Sequence, residues 1–343
     1  MSGLTSTLSA ARAPIALTVL ICIGVVLALS GVAFGSSWIP LEQVASVILG
    51  AGEKTQKLIV LQLRLPRVVI AALAGGGMAV AGFLLQKITR NALASPGVLG
   101  VIDGAALGVV MFLAALSNES NALVTSIAYQ PVAAVVGSTL GIALVFALAG
   151  RQAASAVRLL LFGIAIAAVF KALVMVMMLI GPIYRTSQAA RWIAGAVNEI
   201  NWSEIQVTIV MLLPLLLLAV LAARKMPPAE LDEVSARSVG LDLPVFRVLV
   251  FALAAGLTAV SVAFVGGVGF IGLMAPHLAR LVVGRNVYAG LLASFLLGAI
   301  MLVGADLIVR VLFSPVEVPA GTVTAVIGAP YFLFLLMSRQ RHD

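Results

Sequence analysis

Three arginines beside long apolar runs are the residues of this sequence best suited to specific polar recognition. Arg64 and Arg67 flank Pro66 at the start of one run, and Arg310 lies at the end of another. A guanidinium group presents a planar fork of donors that matches a carboxylate. Asp306 precedes Arg310 by four residues, so these two side chains can pair on one helical face. The arginines therefore predict carboxylate recognition, and the alternative is that they anchor helix ends by snorkelling.

Groups that would carry catalysis or hold a metal are scarce. The single cysteine, Cys22, excludes an intramolecular disulfide, and the two histidines belong to no Cys/His cluster with metal-ligand spacing. The sequence contains no HExxH motif, no acid pair within an apolar run and no Gly-x4-Gly-Lys-Ser/Thr loop. We therefore expect no metal, redox centre or cofactor, no intramembrane enzyme activity and no ATP hydrolysis by this chain.

The composition is typical of an integral membrane protein. Of 343 residues, 62% are hydrophobic and 10% are charged, and the mean hydropathy is +1.18. The net charge of +8 comes from scattered residues and forms no stripe suited to nucleic acid. A window of about 20 residues predicts an all-α membrane protein with about ten transmembrane helices. The predicted spans are 14–34, 67–86, 98–116, 131–149, 159–181, 203–222, 247–265, 268–283, 288–309 and 320–338.

The distribution of positive charge predicts the orientation of these spans. Ten spans put both termini on one side, and the positive-inside rule places that side in the cytoplasm. Thirteen basic residues then lie inside and seven outside, with Lys171 within span five. Arg64, Arg67 and Arg310 fall outside, against the usual pattern. The apolar segment after Arg12 has no convincing small-residue cleavage site, so we interpret it as a retained first span.

An internal repeat emerges when the chain is shifted by 180 residues. RVVIAALAGGGMAV at 67–80 and RVLVFALAAGLTAV at 247–260 share eight identities in fourteen positions, and Pro96 falls over Pro276. Spans two and seven would cross the membrane in opposite directions, which is the inverted repeat of many transporters. The sequence thus predicts a single transmembrane domain built from two halves. The domain and its halves cover 1–343, about 14–181 and about 203–338.

Six stretches, spread in order over nearly the whole chain, carry a resemblance to one family. They are RLPR (64–67), AVAGFLLQKITRNALASPGVLGVIDGA (79–105), SARSVGLDLP (235–244), GFIGLMAPHLARLV (269–282), GADLIVR (304–310) and EVPAGTVTAVIGAPYFLFLL (317–336). As a set they resemble the FecCD-like permeases, which take up iron-siderophore complexes, haem and cobalamin in bacterial ABC importers. One departure is Ala92, where family members usually have proline, and its absence relaxes the turn between spans two and three.

The resemblance implies a type II ABC importer permease in the bacterial inner membrane. Its partners would be a second permease chain, two ATP-binding subunits and a periplasmic or lipid-anchored substrate-binding protein. In the family, basic residues at the positions of Arg64, Arg67 and Arg310 meet acidic residues on the two lobes of the binding protein. The competing interpretation is an ion-coupled secondary transporter with inverted repeats. It would need intramembrane acids, and only Asp103 and Asp306 lie within predicted spans.

The same resemblance implies roles for two further segments. The polar coupling loop, about 224–246, seats in a groove of the ATP-binding subunit, and a solvated loop without a partner is the alternative. The segment after span five forms the external gate in the family, although Trp192 and Trp202, which bracket it, are first of all typical of interfacial anchors. The predicted coupling residues are Arg237, Gly240 and Leu241, and the predicted gate residues are Trp192, Gly195 and Asn198.

Two features within the spans suggest a transport pathway. Lys171 has no counter-ion on its own helix, although burial of an ammonium costs about 2.5–3.5 kcal/mol on insertion scales. Our hypothesis is that it faces a wet pathway and favours an anionic cargo, and the alternative is snorkelling or pairing with an acid. Gly76 lies in three consecutive glycines, each of which weakens a helix by about 1 kcal/mol relative to alanine. We interpret Gly76 as a flexible or closely packed point near the pathway.

Overall fold

The computed structural model is almost entirely helical. It describes residues 2–35, 37–118, 123–150, 155–181, 183–197, 200–314, 316 and 318–339. The helices are α1 Ser2–Ala33, α2 Leu41–Ile48, α3 Lys54–Lys57, α4 Leu65–Thr89, α5 Val101–Ala115, α6 Gln130–Ala149, α7 Ala156–Ile180, α8 Ile183–Ile193, α9 Trp202–Ala223, α10 Met226–Ala229, α11 Glu233–Ser238, α12 Leu243–Val265, α13 Ile271–Val283, α14 Val287–Leu312 and α15 Ala320–Arg339. Helix is about 82% of the structure, and the described residues form no strand.

The predicted spans are confirmed as apolar helices. Among the described residues, seven helical segments are long and apolar enough to cross a membrane, and Val101–Ala115, Ile271–Val283 and Ala320–Phe334 are shorter apolar helices. Each of the ten overlaps one predicted span. The eighth is short because the chain is irregular over 266–270, where Gly266 and Phe270 both have positive φ angles, +74° and +64°. A helix cannot continue through residues in that conformation.

Several short elements were missed by the hydropathy window. A π-helical turn at Leu58–Arg64 leads directly into α4, so the second apolar segment extends back to Lys54 and spans 36 residues. Helices α2 and α8 have only 8 and 11 residues, and both carry polar side chains. Such elements fall below the length that a membrane-span window detects.

Helix α4 occupies the centre of the bundle. It packs against α14, α12, α13 and α9. In its apolar window 83% of the residues are buried, compared with 17% for the first span. Gly75 lies directly against the backbone of Gly298 in α14, where a side chain on either residue would clash. Small residues therefore bring these two helices into backbone contact, as is common between membrane helices.

Under the predicted 180-residue shift, one pair of helices corresponds and the two prolines do not. Helices α4 and α12 correspond under this shift to within a few residues at each end. Pro96 begins a 3-10 turn before α5, whereas Pro276 lies inside α13. The Pro96–Pro276 match is therefore wrong as a structural equivalence. The connection between α12 and α13 is shorter than that between α4 and α5, so the register changes there.

Candidate functional site

Two of the three predicted docking arginines share one buried carboxylate. Arg67, in the first turn of α4, donates from Nε to Oδ1 of Asp306 in α14 at 2.8 Å, and its Nη2 lies 2.7 Å from the same oxygen. Arg310 approaches Oδ2 from one helical turn away, with its Nε at 2.9 Å. The Asp306 side chain is 1% exposed, against 23% for Arg67 and 11% for Arg310. The predicted Asp306–Arg310 pair is confirmed, and Arg67 completes it.

Arg64 closes the end of α1. Its guanidinium donates to the carbonyl oxygens of Val32 at 3.0 Å and Ala33 at 2.8 Å, and also bonds Ser37. These carbonyls end α1 and have no partner within the helix, so the cation satisfies them. Arg64 is only 6% exposed. In this conformation its side chain therefore tethers α1 to the start of α4 and presents little surface to a second protein.

Together these residues form what we call the arginine cluster: Arg64, Arg67, Asp306 and Arg310. Arg310 also donates to the carbonyl oxygen of Gly31 at 2.9 Å, so three guanidinium groups join the ends of α1, α4 and α14. Three positive charges surround one negative charge, which leaves an excess of two. Arg67 is the member that a partner can reach, because it has the largest exposed fraction.

The predicted gate segment is a meeting point of three backbone segments. The Trp192 carbonyl accepts a hydrogen bond from Gly267 N–H at 3.0 Å, and Gly195 accepts one from Gly321 N–H at 2.9 Å. Gly195 has φ +79°, and a side chain there would press on Val268. The segment after α8 is thus held against the starts of α13 and α15.

The remaining gate predictions have different outcomes. Trp192 is 8% exposed and lines a cavity of about 300 Å³ between α6, α8 and α9. Asn198 lies outside the described residues. Gly76 is buried, and a side chain added to it would meet the ring of Phe295 in α14. Gly76 was interpreted as a flexible or a closely packed point, and in the structure it is closely packed.

The coupling loop is an ordered structure of two short helices. Asp232 caps α11 by accepting from Val234 N–H at 3.1 Å and Ser235 N–H at 3.0 Å. After α11 the chain turns at Gly240, whose φ is +82°, and Leu241 N–H donates to Ala236 O at 2.9 Å. This hydrogen bond is typical of a helix that ends in a residue with left-handed φ and ψ angles, a conformation that glycine adopts at little cost.

The three predicted coupling residues differ in exposure. The Arg237 side chain is 70% exposed and lies 3.4 Å from Glu233 one turn earlier. Leu241 is 6% exposed and packs in the hydrophobic core beneath the loop. Leu241 therefore anchors the loop from inside. The outward apolar surface comes instead from Val234 and Val239, which are 81% and 62% exposed.

The coupling loop is fastened to the last turn of α4. Lys87 Nζ lies 2.7 Å from Glu230 Oε1, and Arg90 donates to the Ala229 carbonyl oxygen at 3.2 Å. The hydrogen bond from Lys87 lowers the pKa of Glu230, and the charges of Lys87, Arg280 and Arg285 lower it further. Helix α4 thus has the arginine cluster at one end and the coupling loop at the other.

Lys171 is paired with an acid from another helix. Its Nζ lies 3.8 Å from Oδ1 of Asp103 in α5. The 3-10 turn at Pro96–Leu99 packs on α7 and brings α5 beside it, so the alternative of pairing with an acid is observed. The Lys171 side chain is 72% exposed, on a stripe of α7 that also exposes Ile164 and Met175. It therefore projects outward from this chain.

These features define a class of protein. The chain is a multi-pass helical membrane protein with a central helix, a polar loop at one end of the bundle and charged residues at the other. Residues 11–338 match the model of the FecCD transport family. The chain belongs to the FecCD transport family, as its sequence motifs indicated.

The similar proteins agree with this membership. The chain is 40% identical over 302 residues to the "Probable siderophore transport system permease protein YfhA" of Bacillus subtilis, with 88% of each chain covered. It is 35% identical to the achromobactin transport system permease protein CbrC of Dickeya dadantii, over 96% of this chain and 92% of that one. A solved ABC transporter of metal-chelate type, in an inward-facing conformation, superposes with a TM-score of 0.83 at 28% identity. That match covers 95% of this chain and 99% of the other.

Proposed function

We propose that the chain is the permease subunit of an ATP-driven importer that carries an iron-siderophore complex into the cytoplasm. Membership of the FecCD transport family carries this proposal, and relatives named for siderophore and achromobactin transport support the cargo. The subunit pairs with a second permease chain and two ATP-binding subunits, and it receives cargo from a binding protein. Both termini and the coupling loop lie in the cytoplasm, because that orientation follows the positive-inside rule.

The binding protein docks at the end of the bundle that holds the arginine cluster. The cluster has two positive charges in excess, which attract an acidic surface and orient it. Arg67 makes the direct contact, because Arg64 is occupied by the end of α1 and Arg310 is 11% exposed. A carboxylate of the binding protein would then share the Arg67 guanidinium with Asp306.

The docking proposal is tested with Arg67→Gln. Asp306 keeps Arg310 as its partner in this variant, so we expect the fold to be retained. In proteoliposomes with the ATP-binding subunit, cargo-loaded binding protein should stimulate ATP hydrolysis by wild type and about tenfold less by the variant, as expected for a lost ion pair worth about 1.4 kcal/mol. Lys54→Gln removes an exposed charge nearby in sequence and should leave stimulation intact.

Two results would count against these proposals in different ways. Full stimulation of Arg67→Gln would remove the docking role and leave the importer assignment in place. Failure of wild type to co-purify with any ATP-binding subunit would remove the importer assignment. In that case the ion-coupled secondary transporter becomes the better interpretation.

The coupling loop transmits closure of the ATP-binding subunits. Arg237 supplies an exposed charge for this contact, Gly240 makes the turn, and Leu241 holds the loop to the bundle. Val234 and Val239 are exposed, and such apolar surface on a loop is typical of a contact with another protein. The link from Lys87 to Glu230 connects the loop to α4.

Lys171 and the gate segment serve the cargo route. The outward stripe of α7 faces the second permease chain across the pathway, since an ammonium group 72% exposed to lipid would be costly. Trp192, Gly195 and Asn198 belong to the segment that closes this route on the outside, and Gly76 fixes the packing of α4 behind it. The positive charge of Lys171 favours an anionic cargo.

Lys171→Met is expected to raise the Michaelis constant for uptake of an anionic ferric siderophore about tenfold, since about 1.4 kcal/mol corresponds to that factor. Stability should change little, because an ion pair this exposed contributes under about 1 kcal/mol. Lys171→Arg keeps the charge and should transport like wild type. Unchanged uptake affinity and rate in Lys171→Met would contradict the pathway role.

A further inference from the structure

A basic cavity of about 370 Å³ lies where the end of α4 meets the coupling loop and the connection from α13 to α14. Its volume is within the range of about 300–1,000 Å³ that is typical of small-ligand sites. The charged residues of its lining are Lys87, Arg90, Glu230, Arg280 and Arg285. Four positive charges thus surround this space with one negative charge among them.

The charges of this basic cavity are unevenly compensated. Lys87 is paired with Glu230, and Arg90 donates to loop carbonyl oxygens. Among the residues that the structure describes, neither Arg280 nor Arg285 has a carboxylate within 4.0 Å. Both guanidinium groups border the same cavity and act on Glu230 only through longer-range charge. Two arginine forks are therefore available to a ligand.

We propose that the basic cavity binds a phosphate-bearing anion through Arg280 and Arg285, with Lys87 as a third donor. A phosphate group offers several acceptor oxygens and can take two-point hydrogen bonds from more than one guanidinium. An anionic phospholipid headgroup and a small phosphate ester both supply this chemistry, and basic pockets between membrane helices are known sites for lipid phosphates. Carboxylates of an ATP-binding subunit are the competing occupant.

The shape of the cavity limits how such a ligand lies. A second, narrow recess of about 30 Å³ shares Lys87, Arg280 and Arg285 with this cavity. Its other walls include Phe83, Pro276 and Gly290. That recess holds about two waters and no acyl chain. The phosphate therefore sits in the larger space, where Arg280, Arg285 and Lys87 can all reach it, and the rest of the ligand leaves through its mouth.

The test measures binding to the purified permease chain alone, in neutral detergent. One probe is phosphatidylglycerol, measured by native mass spectrometry in competition with phosphatidylcholine, and the other is glycerol 1-phosphate, measured by equilibrium dialysis. The double variant Arg280→Gln, Arg285→Gln is compared with Arg158→Gln, Arg224→Gln, which removes two exposed arginines elsewhere. All four arginines are exposed, so both variants should fold.

We expect at least one probe to bind wild type and the control alike, and to bind the Arg280/Arg285 variant about tenfold or more weakly, since two charged hydrogen-bond donors are lost. Selective loss of phosphatidylglycerol identifies a lipid, and selective loss of glycerol 1-phosphate identifies a soluble ester. Equal binding by both variants, or no binding to wild type, overturns the proposal. The assay contains no ATP-binding subunit or cargo, so its failure is separate from failure of the importer proposal.

Discussion

Asp306→Asn is expected to lower the free energy of unfolding by about 3–5 kcal/mol, because it removes the buried carboxylate that the guanidinium groups of Arg67 and Arg310 share. Asp306 is 1% exposed, so water cannot replace the lost partner. The change is measured as the shift of the thermal unfolding midpoint of the detergent-solubilised protein.

The double variant Asp306→Asn, Arg310→Gln is the matched comparison. It removes one of the two stranded charges and should recover part of the lost stability, so the two changes should be non-additive. Arg67→Gln alone should cost less, because Arg67 is 23% exposed and Asp306 keeps Arg310. Wild-type stability in Asp306→Asn would mean that the cluster is not a structural tie between α4 and α14.

Gly75→Ala is expected to destabilise the contact between α4 and α14 by about 1–3 kcal/mol. The added methyl group would fall on the backbone carbonyl of Gly298, which cannot move without displacing α14. Gly76→Ala should cost less, since its methyl group meets the ring of Phe295, a side chain that can rotate. Unfolding midpoints of the two variants give the comparison.

Gly256→Ala in α12 is the control for the intrinsic effect of alanine. Its methyl group would lie 3.5 Å from Leu215, an ordinary contact, and alanine is favoured in helices by about 1 kcal/mol. We therefore expect neutral or raised stability there. If Gly75→Ala were also neutral, α4 and α14 would have room to separate, and the flexible interpretation of this glycine run would be preferred. Transport by Gly76→Ala and Gly76→Leu then measures the importance of this packing for function.

The sequence predicted the features that depend on local spacing or on hydropathy. Ten apolar segments became ten apolar helices, because a chain in hydrocarbon must satisfy its amides internally. The Asp306–Arg310 pair was predictable from its four-residue spacing. The polar composition of the coupling loop likewise marked it as separate from the spans.

Contacts between distant segments were beyond such rules. Arg67 and Asp306 are 239 residues apart, and no local pattern brings them together. The carbonyl oxygens that engage Arg64 belong to the end of α1, where the sequence carries no corresponding signal. Leu241 shows a related difficulty. A leucine in a polar loop is equally consistent with contact to a partner subunit and with packing into the bundle, until its burial is known.

The basic cavity was missed for the same reason. Lys87, Glu230 and Arg285 come from three segments, and the two basic residues were counted only in the positive bias of one side. The ends of α4 and α13 and the coupling loop come together only when the bundle is packed. A search for arginines that close apolar runs could have singled out Arg280 and Arg285, but not their common orientation.

Helix α4 can couple the binding affinities at the two ends of the bundle. Arg67 in its first turn pairs with Asp306, and Lys87 in its last turn pairs with Glu230 of the coupling loop. Where a shift of this helix changes affinity at both ends, linkage requires the two factors to be equal. If the proposed binding protein prefers one position of α4, it is bound more tightly, by the same ratio, when the proposed partner at the loop prefers that position too.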